Sequence, residues 1–433
     1  MSDLVISAAS TGAGKTLVTR ALCAALRSAG RRVQPYKIGP DYIDGRLTTR
    51  FAGRPCYSVD LWLDGEGAAL RHVTATRGDA DACVFEGMMG LYDGDNEGET
   101  STAAVALLLD APVLLVLDGW TASQTLAAVA AGLRDHEPRL RIAGAILNRA
   151  GGVSHARAVE GALRRSGIPL LGVLPFDGDV ASAERALGLD REDAEARAEA
   201  VERVAARLRA ELDLDALVPP SVHAAGEPRK APSRVRIAVA EDEAFWFTYP
   251  ETLLALQAAG AEAVMFSPLR DTALPPGIAG LWLSGGYPEL HAATLAENAA
   301  MRSAIRDAMR DGLPTYAECG GMMYLAETLV TEDGAFPMCG AFVGATTIAE
   351  PRLTIGYRRA QACTDGPLDV RDAALRGYEF RYASGELAGQ RAYRYEDGST
   401  AGVATATACA SFLHRHFTVG DPAIARFVAQ CTA

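Results

Sequence analysis

The chain has 433 residues, 49% of them hydrophobic and 22% charged, with a formal net charge of -12. At roughly 100–200 residues per domain, that is room for two or three globular domains with full cores. The acidic balance argues against a nucleic-acid or anionic-membrane partner, since both are held by basic surfaces, but it leaves room for a local basic pocket that takes an acidic small molecule.

Short apolar runs alternate with helical patterns through the first half. "LVISAAS" at 4–10 predicts a strand, and "TLVTRALCAALRSAG" at 16–30 a helix that stops at Gly30. "RVQPYKIG", "DACVFEG", "PVLLVLDG" and "IAGAILN" predict further strands with helices between them. That alternation is the mark of a mostly parallel sheet in an α/β fold. A highly charged helix is expected at 192–212. "VPPSVHAAGEPRKAPS" at 218–233 carries no periodic pattern and reads as a linker. The expected domains are therefore 1–217 and 234–433. The second is again α/β at "VRIAVAEDEAF", "AGLWLSGGYPE" and "PTYAECGG", and richer in strands from "IGYRRAQAC" to "ATACASFLHRHF".

Eight cysteines (Cys23, Cys56, Cys83, Cys319, Cys339, Cys363, Cys409 and Cys431) form no CxxC pair, which disfavours a zinc site of that type. Reduced thiols in the cytoplasm are expected. "MSDLVISAAS" lacks the basic start and long apolar stretch of a signal peptide, and no run of about 18 uncharged apolar residues suggests a membrane span.

"ASTGAGKT", from Ala9 to Thr16, stands between an expected strand and an expected helix. It fits the phosphate-loop pattern G-x-x-x-x-G-K-[ST], with Ala9 at the first glycine position. Gly12 and Gly14 let backbone N–H groups turn toward phosphate oxygens, and the helix N-terminus adds partial positive charge. Lys15 is placed to reach the β- and γ-phosphates of ATP, and Thr16 to ligate Mg²⁺. Acidic residues follow other strand-like runs: Asp41 and Asp44 in "KIGPDYIDG", Glu86 and Asp93 in "FEGMMGLYDG". Carboxylates at strand ends suit a hard cation beside phosphates. Lys37 is a candidate to balance phosphate charge.

Cys319 in "YAECGGMMYL" follows a strand-like run and precedes two glycines and a helical pattern. That is the layout of a nucleophile elbow, in which a tight turn exposes the side chain at a helix N-terminus and favours thiolate. His414 and His416 in "SFLHRHF" are the candidate bases. "LSGGYPE" offers backbone donors around Gly285, Gly286 and Tyr287 for an oxyanion.

Together these motifs resemble a known family. "YAECGGMMYL", "LWLSGGYPELHA" and "SFLHRHF" resemble class I glutamine amidotransferase domains, and "ASTGAGKT", "YKIGPDYIDG", "FEGMMGLYDG" and "GAILNRAG" are similar to a P-loop ATP-binding half like that of dethiobiotin synthetase. Their order and spacing resemble the cobyrinic or hydrogenobyrinic acid a,c-diamide synthases of cobalamin biosynthesis. "KIGPDYID" sets them apart from cobyric acid synthase. The resemblance implies ATP-dependent amidation of corrinoid carboxylates with ammonia from L-glutamine, in a soluble enzyme that is often a homodimer. It implies Cys319 as nucleophile and His414 as its base. It implies Gly286 and Gly320 at the oxyanion, and Thr16, Asp41 and Glu86 at Mg²⁺. Asp44 and Asp93 would face the substrate carboxylate, and Asn148 would read adenine. The family pattern has histidines where this chain carries Tyr378, Arg381 and Ala186, and His416 stands where many amidotransferases have glutamate. A Cys–His dyad is therefore expected. A nickel sirohydrochlorin diamide synthase, and a P-loop switch protein with an inert amidotransferase domain, are the alternatives.

Overall fold

The structure is a computed structural model that describes residues 3–41, 43–95, 98–120, 122–177, 191–220 and 235–432. Its backbone divides into two units, Met1–Pro228 and Arg229–Ala433. Most of the linker expected at 218–233 lies outside the described residues. Val218 itself belongs to the core of the first unit, and its carbonyl accepts from Arg31 Nη2 at 2.9 Å.

In the first unit, strands β1 (Asp3–Ala8), β2 (Val33–Ile38), β3 (Tyr57–Val59), β4 (Ala82–Glu86), β5 (Val113–Asp118), β6 (Ile142–Ala150) and β7 (Leu170–Pro175) form one sheet in the order β3-β2-β4-β1-β5-β6-β7. Every pairing in it is parallel. Strands covered on both faces read as continuous apolar runs, and β1, β2 and β4 are buried at every position. The order reverses around β1, so the loop after β1 opens at a topological switch point, where ligands of such sheets bind. Helix α1 (Lys15–Ser28) follows that loop at once.

The charged helix expected at 192–212 runs over Arg191–Glu211. Its described part is not a free surface helix: Val201, Ala205 and Leu208 enter the core beside α1 at helical spacing, and Leu212 follows just past its end. Strands β3 and β7 were not singled out in the sequence; one is three residues long, and the other lies in an apolar run without alternation.

In the second unit, β8 (Val235–Ala240), β9 (Ala261–Phe266), β10 (Gly280–Leu283), β11 (Thr315–Glu318), β15 (Thr354–Ala362), β16 (Ala374–Arg381), β18 (Gln390–Tyr395), β19 (Thr400–Ala404) and β20 (Ala408–Ser411) form a sheet ordered β16-β15-β18-β19-β20-β11-β10-β8-β9. The half from β9 to β20 is parallel and the rest antiparallel. A smaller sheet holds β12 (Thr328–Thr331), β13 (Gly334–Pro337), β14 (Gly344–Thr347) and β17 (Ser384–Leu387). The period-two alternation of strands sorts side chains onto two cores: Leu281, Leu283 and Ala317 face one, Trp282 and Tyr316 the other. β11 sits between β10 and β20, so its C-terminal end, where Cys319 follows, is held from both sides.

Candidate active sites

The first site lies at the C-terminal ends of β1, β2 and β4. Gly12 and Gly14 take positive φ, 78° and 100°, which glycine adopts at no steric cost. Ala9 keeps a negative φ, so the missing first glycine leaves no strained residue. Gly14 caps α1 without any side-chain hydrogen bond, leaving the first backbone N–H groups to a ligand. Lys15 donates from Nζ to the Ser10 carbonyl at 2.9 Å. Burial, then repulsion from Lys37, lowers its pKa to about 8.

The β2–β4 register sets Lys37 beside Glu86. Lys37 Nζ lies 2.6 Å from Glu86 Oε1, 3.2 Å from Asp44 Oδ2 and 3.7 Å from Asp41 Oδ2. Burial opposes its charge, but the three carboxylates outweigh burial and hold its pKa above the usual lysine value. Thr16 Oγ1 donates to Glu86 Oε1 at 2.5 Å and comes within 3.5 Å of Asp44 Oδ2. Arg20, one helical turn beyond Thr16, binds Asp44 Oδ1 at 2.9 Å. Burial works against the Asp44 carboxylate, yet Lys37 and Arg20 bring its pKa down to about 2. Asp41 is raised to about 6, by burial and by the neighbouring Asp44 charge.

The two aspartates have different neighbours. Asp44, expected at the substrate, is the one within reach of Thr16. Asp41, expected at the metal, accepts from the Asp44 N–H at 2.9 Å in the first turn of the helix Ile43–Ala52. Asp93 is exposed and accepts from the Gly90 N–H at 2.7 Å. Its loop is tied to the phosphate loop's strand, for Leu91 N–H donates to the Ala8 carbonyl at 2.8 Å. Buried Asn148 donates from Nδ2 to the Ala13 carbonyl at 3.0 Å, so it braces the phosphate loop. Arg149 beside it donates to the Gly12 carbonyl and lies 3.4 Å from Asp118 Oδ2. Neither Arg20 nor Arg149 stood out in the sequence, although each is close to a motif residue.

Thr16, Asp44 and Glu86 present oxygen donors, the chemistry that suits Mg²⁺. Among the described residues no group of three or more His, Cys, Asp and Glu side chains could hold a metal alone. A site of few protein ligands that borrows phosphate oxygens is how Mg²⁺ is commonly held, so the residues fit the ion.

The second site is built on β11. Cys319 has φ 49° and ψ -109°, a conformation that costs a non-glycine residue about 1–3 kcal/mol and gathers at functional positions. The turn is held from both sides: Cys319 N–H donates to the Ser411 carbonyl at 2.8 Å, and its own carbonyl accepts from Met323 N–H at 3.1 Å. His414 is 1% exposed. A β-carbon on Gly285 would lie 2.9 Å from His414 Cε1 and 3.4 Å from Cys319 Cβ, which puts the two side chains against one point. Burial disfavours a charged His414, but Cys319 and then Glu318 outweigh it and raise its pKa to about 10. Gly286 has no room for a side chain, because a β-carbon would meet the Ala244 carbonyl oxygen at 2.0 Å. The Gly286 nitrogen lies 3.1 Å from where a Gly320 β-carbon would be, so the two expected oxyanion residues are neighbours.

Where the motif departs from the family pattern, the structure shows the contacts of the described residues. Tyr378 exchanges two backbone hydrogen bonds of 2.8 Å with His414. Arg381 and Arg358 both bind the buried Glu379, at 3.3 and 2.8 Å. His416 is bound to Glu251 at 2.7 Å, with both side chains buried. Ala186 lies outside the described residues. Glu318, given no role in the sequence, approaches His414 Nδ1 to 3.7 Å; its only local signal is its place directly before the cysteine. No helix among the described residues is long and apolar enough to cross a membrane.

Comparison with known proteins agrees with both halves. Residues 4–187 match the "CobQ/CobB/MinD/ParA nucleotide binding domain", and residues 236–422 the "CobB/CobQ-like glutamine amidotransferase domain". The chain is 43% identical to the hydrogenobyrinate a,c-diamide synthase of Thermobifida fusca, over 98% of this chain and 96% of that one. It is 39% identical to the cobyrinate a,c-diamide synthase of Syntrophotalea carbinolica, over 99% and 98%. It is 38% identical to the hydrogenobyrinate a,c-diamide synthase of Streptomyces coelicolor, over 99% and 97%. With two such sites and relatives this similar over nearly its whole length, the chain belongs to the cobyrinate and hydrogenobyrinate a,c-diamide synthase family of glutamine-dependent amidotransferases.

Proposed function

We propose that the chain amidates the a and c carboxylates of hydrogenobyrinic acid, or of cobyrinic acid, with ATP and glutamine. The observation that carries this reading is the pairing, in one chain, of a strained cysteine beside a buried histidine with a phosphate loop whose threonine faces a carboxylate. Amidation of a carboxylate in water needs a better leaving group than hydroxide. The carboxylate takes the γ-phosphoryl group of ATP, giving an acyl phosphate and ADP. Ammonia then attacks the carbonyl carbon and phosphate departs. Lys15 and the N–H groups of the phosphate loop hold the phosphates in line. Thr16, Glu86 and Asp44 are the residues that would hold Mg²⁺, which when bound neutralises charge on the phosphate oxygens. Asp93 stays on the substrate side, Asp41 supports Asp44 and Lys37 balances the cluster. Asn148 keeps the adenine-side assignment, anchored to the loop it braces.

Cys319 attacks the side-chain amide of glutamine, and the oxyanion meets the N–H groups near Gly286 and Gly320. His414 gives its proton to the departing ammonia, then takes one from the water that clears the thioester, releasing glutamate. Two rounds give the diamide. A cytoplasmic location accompanies this reading, supported by eight cysteines that are all free. A homodimer, carried over from the family, is read by light scattering.

The test is product mass after incubation with ATP, Mg²⁺ and each macrocycle, with either glutamine or ammonia. Wild type is expected to replace two hydroxyls by amino groups with either nitrogen source. Cys319→Ser is expected to do so with ammonia alone. A Cys319→Ser protein that still uses glutamine removes the cysteine from the mechanism, and a wild type that changes neither macrocycle removes the substrate assignment.

A further inference from the structure

From the geometry around β11 we infer that Glu318 is a positioning residue for His414, completing a Cys319–His414–Glu318 triad in which the carboxylate comes from the residue just before the nucleophile. This rests on the reading that Cys319 and His414 hydrolyse glutamine. Tyr316 and Glu318 are two apart on β11 and share a face, so the Tyr316 hydroxyl donates to Glu318 Oε2 at 2.8 Å. The Arg415 backbone N–H approaches the same oxygen at 3.4 Å. Both donors take Oε2, and Oε1 is the oxygen that faces His414 Nδ1, at 3.7 Å.

Glu318 is 3% exposed and His414 1%. A carboxylate buried this deeply needs compensating charge or donors. The two charged residues that follow His414 are each matched to another carboxylate. Arg415 lies 2.8 Å from Asp369, and His416 lies 2.7 Å from Glu251. The place two residues after His414 therefore does not supply the orienting carboxylate, since His416 stands there and is held by Glu251. Cys319 also lies against His414, its Cβ and the His414 Cε1 converging on Gly285. With Nδ1 turned to Glu318, Nε2 is the nitrogen left for the thiol. The backbone pairing of His414 with Tyr378 fixes the ring's starting point, so a carboxylate at Nδ1 sets both its tautomer and its direction. The 3.7 Å gap is a few tenths of an ångström beyond a hydrogen bond, a looseness common before substrate arrives.

The decisive variant is Glu318→Gln, which keeps size and an acceptor for Tyr316 but removes the charge. Glutamine-dependent kcat is expected to fall on the order of 100-fold or more, by analogy with loss of the orienting carboxylate in serine-protease triads, with KM for glutamine unchanged. Loss of the His414 proton should move to lower pH, because a neighbouring anion that favoured the imidazolium is gone. The readout is the basic limb of Cys319 alkylation by iodoacetamide against pH. Glu318→Asp, which keeps the charge, should leave that limb near its wild-type position. Ammonia-dependent amidation serves as the folding control. Tyr316→Phe, which frees Oε2 without opening a cavity, is the second variant and should lower glutamine-dependent kcat by about 10-fold, the loss of one buried hydrogen bond. Unchanged kcat and an unmoved limb in Glu318→Gln, or in Tyr316→Phe if the first variant fails to fold, would overturn the role of Glu318. Glutamine use that survives His414→Ala would instead sink the underlying dyad.

Discussion

Asp41 and Asp44 are adjacent carboxylates whose surroundings push them apart. Lys37 and Arg20 hold Asp44 down to about 2, while burial and the Asp44 charge raise Asp41 to about 6. The signs of their effects on stability are opposite. Asp44, with a lowered folded value, adds stability above its ordinary value of 3.8, and that stability drains as pH falls toward 2. Asp41, with a raised folded value, binds its proton more readily when folded, so stability rises as pH falls through about 6 toward 3.8. Urea unfolding of the first unit's signal, without Mg²⁺, should therefore show stability rising into the mildly acid range and falling below it. Replacing Asp44 with Asn should shrink the acid-side fall, leaving the part that other carboxylates with lowered values, such as Glu137, contribute. A fall of the same size in that variant would mean the fall comes from other carboxylates.

At the scale of elements, each site is placed by strand order and register rather than by loops. β2 beside β4 brings Lys37 to Glu86, and β11 beside β20 brings Cys319 to the Ser411 carbonyl. The strain at Cys319 persists because those neighbours over-determine it. The helix Arg191–Glu211 shows how packing overrides composition. Its sequence is rich in charge, yet Val201, Ala205 and Leu208 form a stripe against α1, the helix that carries Lys15 and Thr16. Leu208 is fully buried. Leu208→Ala should cost about 2–5 kcal/mol, the usual range for a buried leucine cut back to alanine. It should also lower ATP-dependent turnover with either nitrogen source near the melting temperature. A loss below about 1 kcal/mol would show that this helix is only loosely docked, since large-to-small changes in tight cores exceed that.

For the whole molecule, one chain runs two reactions linked by ammonia. Free ammonia at neutral pH is mostly ammonium, which is no nucleophile, so ammonia that escapes into bulk water is largely lost to the second reaction. With isotope-labelled glutamine and an excess of unlabelled ammonium, the amide nitrogen of the product is expected to carry the label. Dilution of the label to the bulk ratio would mean that ammonia escapes and returns. Labelled product from Cys319→Ser would contradict the glutaminase assignment as well.

The phosphate loop, the cysteine elbow, the histidine after β20 and the two α/β units were legible in the chain itself. Each is local, because a strand, a tight turn and a helix within about 20 residues leave a pattern of apolar runs, glycines and fixed spacings. The approach of Glu318 to His414, the grip of Arg149 on the phosphate loop and the different neighbours of Asp41 and Asp44 were not legible. They depend on which strands become neighbours and in what register, and on which oxygen of a carboxylate is already occupied. Sequence fixes which groups are available through local covalent spacing. Charge compensation between buried groups is a property of distances across the fold, and only the tertiary structure decides those.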